Sequence, residues 1–484
     1  MGKRPACVFP EFARAALAPG REDAIGLFLR VFWGVQAGMR FFAALGSMVL
    51  FASLLCAEPM PGTVLTIVPD HAGGVYAVGE KVTWTIDVKS GDRATLGAVP
   101  YSVKRDAKDE VEQGTLDLTA GSATVTATRA EPGALYAVFS SPDKAEKKPI
   151  GYGGAVFAPE KIGPAVPAPE DFDEFWQEKL KELASVPMNA VEEAGSLEGV
   201  PNGGGVDYWK VTLDNIRGTH VRGQLARPAK EGKFPAVLAL QYAGVYPLNK
   251  GTVANLAKEG FLVFNIEAHD IPIDESPEFY KKAETTTLRD YVHIGGDDRE
   301  KSYFLRMFLG DVRAAEYLAS RPEWDGRTFL VTGTSQGGMQ AFATAALFPK
   351  ATHLMVHVPA GCDNCASLAT PPRAYGWPYW LSAWPQAPNS ESLCRTAGYF
   401  DAIHFAARVR CPSLVAVGLV DDTARPAGVC AAYNAIPAAE KELVIMPFSQ
   451  HQNIGDTQVR WGLRSKAWKE AMKAGQPLPP PEAN

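Results

Sequence analysis

A serine set between glycines is the first residue in this chain that can do chemistry. Gly333-Thr334-Ser335-Gln336-Gly337 spells G-x-S-x-G, with the strand-like run Thr328–Thr332 before it and an Ala-rich helical run, Gly337–Phe348, after it. A strand, a sharp turn and a helix are the context a nucleophile elbow requires, because the turn lifts the serine Oγ clear of the sheet edge. Glycines at 333 and 337 permit the tight backbone and the close approach of strand and helix. The helix N-terminus beyond Ser335 favours negative charge as it develops. The plain alternative is a glycine-rich turn with no chemistry.

A serine hydroxyl is a weak nucleophile near neutral pH and needs a base. Where such an elbow sits in a hydrolase sheet, the partners follow in the order acid, then histidine. Asp421 follows the strand-like run Ser413–Val420, at the sheet edge where functional groups collect. His451 comes next, in a loop after Leu443–Met446, and no other histidine follows Asp421. Asp421 is preferred to its neighbour Asp422, since the residue at the end of a strand is better placed to orient an imidazole. His353 and His357 share a face of a strand that reads as buried, and are taken as core histidines. An oxyanion hole would combine the backbone N–H of Gln336 with one from the loop Gln241-Tyr242-Ala243-Gly244, from Ala243 in preference to Tyr242.

The elements that must position these groups alternate. Ala236–Leu240, Phe261–Ile266, Thr328–Thr332, His353–Val358 and Ser413–Val420 read as strands. Val253–Glu259, Phe304–Ser320 and Gly337–Phe348 read as helices between them. Such alternation implies an α/β fold with a doubly wound, mostly parallel sheet over residues 161–484. It opens on a helix marked by Phe172, Phe175, Trp176, Leu180 and Leu183 at helical spacing. Residues 58–160 are different: Val82–Val88 and Ala123–Ala127 alternate apolar with polar, and Gly, Asp and Pro punctuate them. That pattern predicts a small all-β sandwich. The Pro-rich joint Pro159–Glu170, which should be extended, separates the two.

Composition narrows the class of function. The 484 residues are 46% hydrophobic and 21% charged, which is globular and excludes a multi-spanning or largely disordered chain. A net charge of −6 without any basic stripe excludes nucleic acid as a partner. In residues 1–57 basic residues outnumber acids, and the apolar, uncharged stretch Phe41–Ala57 is preceded by Arg40 and followed by Glu58. This reads as a secretory signal peptide starting at Met39 and removed near Ala57, giving a secreted or periplasmic protein without a stable membrane span. Five of the seven cysteines lie beyond that point: Cys362, Cys365, Cys394, Cys411 and Cys430. Cys362-Asp-Asn-Cys365 has no second metal-binding motif beside it, so a disulfide involving some of the five is expected rather than a metal site.

With these residues in place, the chain resembles the acetyl xylan esterase and cephalosporin C deacetylase family of α/β-hydrolases. Pro169-Glu170-Asp171-Phe172-Asp173-Glu174-Phe175-Trp176 is similar to its entry helix and Gly333–Gly338 to its S-Q-G-G elbow. Gly418-Leu419-Val420-Asp421, followed by Ala431-Ala432-Tyr433-Asn434, matches its acid loop and strengthens Asp421. The likeness covers about residues 160–470, and the preceding β region looks like an extra domain of some secreted members. The chain also departs from the pattern. Asn265-Ile266-Glu267-Ala268-His269 stands where the family has R-G-Q, while Arg222-Gly223-Gln224 has the same letters in an earlier strand. Gln241-Tyr242-Ala243 replaces H-G-Y, and His451-Gln452 replaces a His-Glu pair.

The resemblance implies two-step acyl transfer without metal or other cofactor, on acetylated xylan or xylo-oligosaccharides or another plant-polysaccharide ester. It also implies a homo-oligomer, whose contacts an added N-terminal domain could block. Tyr242, Trp377, Trp380 and Trp384 are candidates to wall a sugar site, with Asp363 and Asn364 nearby in sequence. Two rival readings are a serine peptidase and a glycan-binding protein on a silent hydrolase scaffold. The peptidase fold normally carries a β-propeller, which about 100 residues cannot build.

Overall fold

The computed structural model describes residues 64–482 except 144–145, 147 and 382–389. The segment expected to be a signal peptide lies outside the described residues.

Eight strands come first: β1 (Val64–Pro69), β2 (Val75–Tyr76), β3 (Lys81–Ser90), β4 (Ala98–Arg105), β5 (Asp109–Asp117), β6 (Ala123–Thr128), β7 (Gly133–Ser140) and β8 (Pro149–Phe157). They form a three-stranded sheet, β1-β3-β6, and a five-stranded sheet, β2-β8-β7-β4-β5. The alternation of Val82, Trp84 and Ile86 places all three on the inner face, where they are fully buried with Phe139 and Phe157. At one end, buried Arg129 pairs with Asp106 at 2.7 Å. Removing one partner of such a pair costs about 3–5 kcal/mol, because the other charge is left stranded.

The remaining strands are β9 (Val191–Ala194), β10 (Val206–Asp214), β11 (His220–Pro228), β12 (Phe234–Leu240), β13 (Leu262–Ile266), β14 (Trp324–Thr334), β15 (His353–His357), β16 (Ser413–Gly418) and β17 (Lys441–Met446). They form one sheet in the order β17-β16-β15-β14-β12-β13-β11-β10-β9. It is parallel from β13 to β17 and antiparallel at the β11-β10-β9 edge, a part the apolar runs of the sequence did not reveal. The helices are α1 (Phe172–Ala184), α2 (Lys250–Glu259), α3 (Pro277–Thr285), α4 (Tyr303–Ser320), α5 (Gln336–Leu347), α6 (Ser390–Phe400), α7 (Ala402–Ala406), α8 (Pro426–Ala435) and α9 (Val459–Ala474). Asn249 and Asp401 cap α2 and α7 by accepting backbone N–H bonds, the usual way a helix start is satisfied. Helix α4 is buried along most of its length against the sheet, with α1 packed on it through Trp176 and Phe308.

Two expectations need correction. The strand before the acid ends at Gly418 rather than Val420, because the chain turns there: Asp421 N–H returns to Gly418 C=O at 3.3 Å. The Pro-rich joint is not simply extended, since Pro159–Lys161 is a 3-10 turn whose carbonyls at 159 and 162 accept from Asn434.

The five cysteines carry free thiols, with Cys365 Sγ and Cys394 Sγ 3.6 Å apart beside an open cleft lined by Val166, Pro167 and Pro169. The CxxC neighbour of Cys365 is engaged elsewhere, Cys362 Sγ lying against the carbonyls of Pro359 and Ala360. Burial holds the thiols of Cys362, Cys411 and Cys430 in the unreactive protonated form. Oxidised glutathione is therefore expected to join Cys365 to Cys394 ahead of the other three in the native protein. Peptide mass mapping would show this, and a Cys394 that stays fully alkylatable after the treatment contradicts it.

Candidate active site

Ser335 sits between β14 and α5 in a backbone conformation that side chains rarely adopt, φ 58° and ψ −120°. The strain is held from several directions: its N–H donates to His357 C=O, and its C=O accepts from Gly338, Met339 and Ala360 N–H. A Cβ at Gly333 would stand 2.2 Å from the Gly337 carbonyl, and one at Gly337 would stand 2.4 Å from Leu240 O. Only glycines let these three backbones approach so closely.

His451 Nε2 lies 2.8 Å from Ser335 Oγ, and its Nδ1 lies 2.8 Å from Asp421 Oδ2. Asp421 is fully buried, and its other oxygen accepts the Thr423 and Ala424 N–H groups at 2.8 and 2.7 Å. Such a carboxylate can only accept, so Nδ1 carries the proton and Nε2 is left to accept from the serine hydroxyl. Asp422 is exposed and accepts from the Thr423 hydroxyl. The turns carrying acid and histidine are tied together, Val420 N–H donating to Ser449 C=O at 3.2 Å. An acid–imidazole–hydroxyl chain of this geometry can take a proton from the serine as it attacks a carbonyl.

Gln336 opens α5, so its N–H has no acceptor within the helix. Leu240 is in register with Gly333 on the neighbouring strand, which brings the 241–244 loop beside the elbow. Tyr242 is exposed and stacks on Tyr246 with ring centres 4.8 Å apart, and Ala243 is half-buried.

Behind this loop runs a polar network that the sequence did not disclose. Tyr291 Oη donates to Gln336 Oε1, Gln336 Nε2 to Gln340 Oε1, and Gln340 Nε2 to Asp311 Oδ1. His269 Nε2–H donates to Gly244 C=O at 3.0 Å, so its Nδ1 accepts from the Tyr303 hydroxyl at 2.7 Å. Burial, aided by the Arg306 charge, keeps His269 neutral with a pKa near 4. Glu267 and Asp311 face one small cavity with Arg306 and Asn215. Both Glu267 oxygens and Asp311 Oδ2 lack a well-aligned donor. Burial raises both acids, Asp311 to about 8 and Glu267 well above the usual range. Thus Glu267-Ala268-His269, the departure from R-G-Q, forms the rear of the loop beside the elbow. The letters Arg222-Gly223-Gln224 lie on β11, where Gln224 bonds Asn265.

The expected aromatic wall is less open than its sequence suggests. Trp380 is buried against Phe304 and donates to Val292 C=O, so packing accounts for it. Trp377 is half-buried, its N–H bonded to Thr423 C=O in the acid turn, and Trp384 lies outside the described residues. Asp363 pairs with Arg373, and Asn364 bonds Gly361 C=O; both are buried structural groups. His353 is satisfied by Thr352. His357, in contrast, is stacked on Trp461 with Nε2 unpartnered among the described residues, and burial lowers its pKa to about 4.

Comparison with known proteins places the chain in a family. A family model described as acetyl xylan esterase (AXE1) matches residues 160–465. The acetyl esterase Axe7A of Xylanibacter ruminicola is 29% identical over 407 residues, 81% of this chain and 89% of that protein. An acetyl xylan esterase from Paenibacillus sp. R4 superposes with TM-score 0.54 at 22% identity, covering 65% of this chain and 98% of that one. Acetyl xylan esterase 1 from Thermoanaerobacterium sp. JW/SL YS485 gives 0.53 at 23%, covering 63% and 96%. These two likenesses show a shared α/β-hydrolase fold.

The buried Asp311 sets a pH dependence. Its folded pKa is raised, so between pH 4 and 8 the folded state holds a proton that the unfolded chain has lost, and stability falls as pH rises through that window. Asp311→Asn keeps the acceptor for Gln340 and removes this term. The thermal midpoint of the wild type is expected to drop from pH 4.5 to 8 relative to the variant; parallel curves contradict the assignment.

Proposed function

The chain belongs to the acetyl xylan esterase family and is a carboxylic ester hydrolase, and from that premise we propose that it removes acetyl groups from acetylated xylan or xylo-oligosaccharides with Ser335 as nucleophile, His451 as base and Asp421 as orienting acid. The observation that carries this reading is the continuous hydrogen-bonded chain from Asp421 through His451 to Ser335.

The steps follow from the proton positions. Ser335 Oγ attacks the acetyl carbonyl while His451 Nε2 takes its proton, and Asp421 stabilises the imidazolium without itself being protonated. The negative charge on the tetrahedral oxygen is met by the N–H groups of Gln336 and Ala243. His451 then hands its proton to the departing sugar oxygen, leaving an acetyl-serine. Water, deprotonated by the same nitrogen, releases acetate and restores Ser335. Tyr242, exposed in the loop, and Trp377, half-buried and bonded through its backbone N–H to the acid turn, are aromatic faces that could meet a sugar ring. No group in these steps requires a metal or an organic cofactor. We further propose export from the cytoplasm directed by a signal peptide that is removed near Ala57; no helix among the described residues is long and apolar enough to cross a membrane.

Acetate release from acetylated xylo-oligosaccharides is expected to fall by ~10⁴-fold or more in Ser335→Ala and His451→Ala, and by a similar order in Asp421→Asn, which holds the imidazole in the wrong tautomer. A Ser335→Ala protein keeping a tenth of the activity would sink the mechanism. Wild-type inactivity on these substrates, with Ser335 still labelled by an organophosphonate, would keep the mechanism and remove the xylan substrate.

A further inference from the structure

The N-terminal strands meet the body of the enzyme at several places, among them the turn that carries Asp421. Strand β8 contains Gly153-Gly154, and adjacent strand residues face opposite sides of a sheet. A Cβ at Gly153 would meet Ile67 and Trp84 inside the sandwich, at 2.9 and 3.1 Å. A Cβ at Gly154 would stand 2.5 Å from Leu419 O, on the other side. Glycine inside a strand marks such a close approach of another backbone. On the same face, Tyr136 of β7 is paired with Gly154 and its hydroxyl lies 3.4 Å from Val420 C=O. Gly74, before β2, reaches the Leu419 side chain. Val156 is buried in the main core of the hydrolase, whereas Ala155 and Phe157 belong to the core of the sandwich. One face of the five-stranded sheet therefore lies on Leu419 and Val420, the two residues before the acid.

We propose that this sheet is a brace that fixes the Leu419–Ala424 turn, and through Asp421 the His451 imidazole, with Gly154 and Tyr136 as positioning residues. The proposal rests on the reading of Ser335, His451 and Asp421 given above. A free-standing glycan-binding sandwich would leave this face open to ligand, whereas here Tyr136, Gly154 and Val156 are covered by the catalytic body. Pressure on the face has one route to the chemistry. Leu419 N–H is bonded to Met446 C=O and Val420 N–H to Ser449 C=O, so displacing them moves the acid relative to the histidine loop.

The test compares Gly154→Ala with Gly153→Ala, equal additions on the two faces of one strand, and adds Tyr136→Phe. Gly154→Ala is expected to lower kcat for acetate release about tenfold with KM within twofold, and to move the acidic limb of the kcat/KM profile to lower pH. The sign follows from charge: a carboxylate drawn away from His451 no longer favours the imidazolium. Gly153→Ala should lower the thermal midpoint while leaving kcat and the pH limb in place. Tyr136→Phe, which removes one hydroxyl and keeps the ring, should move both in the Gly154→Ala direction by two- to threefold, and decides the matter if Gly154→Ala does not fold. Equal effects from the two glycine variants, or a Tyr136→Phe enzyme with unchanged kcat and pH limb, overturn the brace. If the wild type releases no acetate, the pH dependence of organophosphonate labelling of Ser335 replaces turnover in the same comparison. A wild-type Ser335 that takes no label overturns the triad reading, and the brace with it.

Discussion

Everything at the site depends on how closely three stretches of backbone approach one another at Gly333, Gly337 and Leu240. The turn at Ser335 is strained, and its cost, of order 1–3 kcal/mol, is borne by the hydrogen bonds that converge on it from β15, from α5 and from Ala360. A side chain at 333 or 337 would push strand from helix, and Ser335 would lose its place under the imidazole. The parallel pairing of β12 with β14 sets Leu240 opposite Gly333 and so brings the 241–244 loop beside Ser335.

Around that point the protein buries more polar groups than a plain core would tolerate. Each buried donor or acceptor left unpaired costs about 1–3 kcal/mol. The side chains behind the loop are therefore mostly joined in series, from Asp311 through Gln340 and Gln336 to Tyr291. Among the exceptions are Asn215 Oδ1, the Glu267 oxygens and one oxygen of Asp311, and burial holds these two acids toward the protonated form. Protonation lets these acids stay buried without the cost of an uncompensated charge.

What could be read from the sequence divides along physical lines. The elbow was legible because glycine, serine and a strand–helix change lie within ten residues, and His451 because chain order left no rival after Asp421. The strand-like runs gave the parallel part of the sheet, since apolar strands buried on both faces announce themselves. Strands β9 and β10 did not, being an antiparallel edge with exposed charge, as in Val191-Glu192-Glu193. The bonds of His269 to Tyr303 and of Tyr291 to Gln336 join residues 34 and 45 apart, and no local pattern encodes such pairings. Trp380 misled because an aromatic cluster reads alike whether it lines a surface or fills a core. Gly153-Gly154 drew no notice in the sequence, because a glycine pair names no partner; only the fold shows the close approach of Leu419 to it.

That approach also constrains the order in which the molecule can assemble. Tyr136 meets Val420 across 284 residues. As the chain leaves the ribosome, the inner core around Trp84 has all its strands early, while the outer face at Tyr136, Tyr152 and Val156 stays wet until nearly the whole polypeptide has emerged. Closing so long a loop is entropically unfavourable and slow. The N-terminal strands can thus collapse among themselves first, but their second face is completed only by the last quarter of the chain. A nascent or truncated product would present an aromatic sheet face with nothing to cover it, a surface suited to chaperone capture or aggregation.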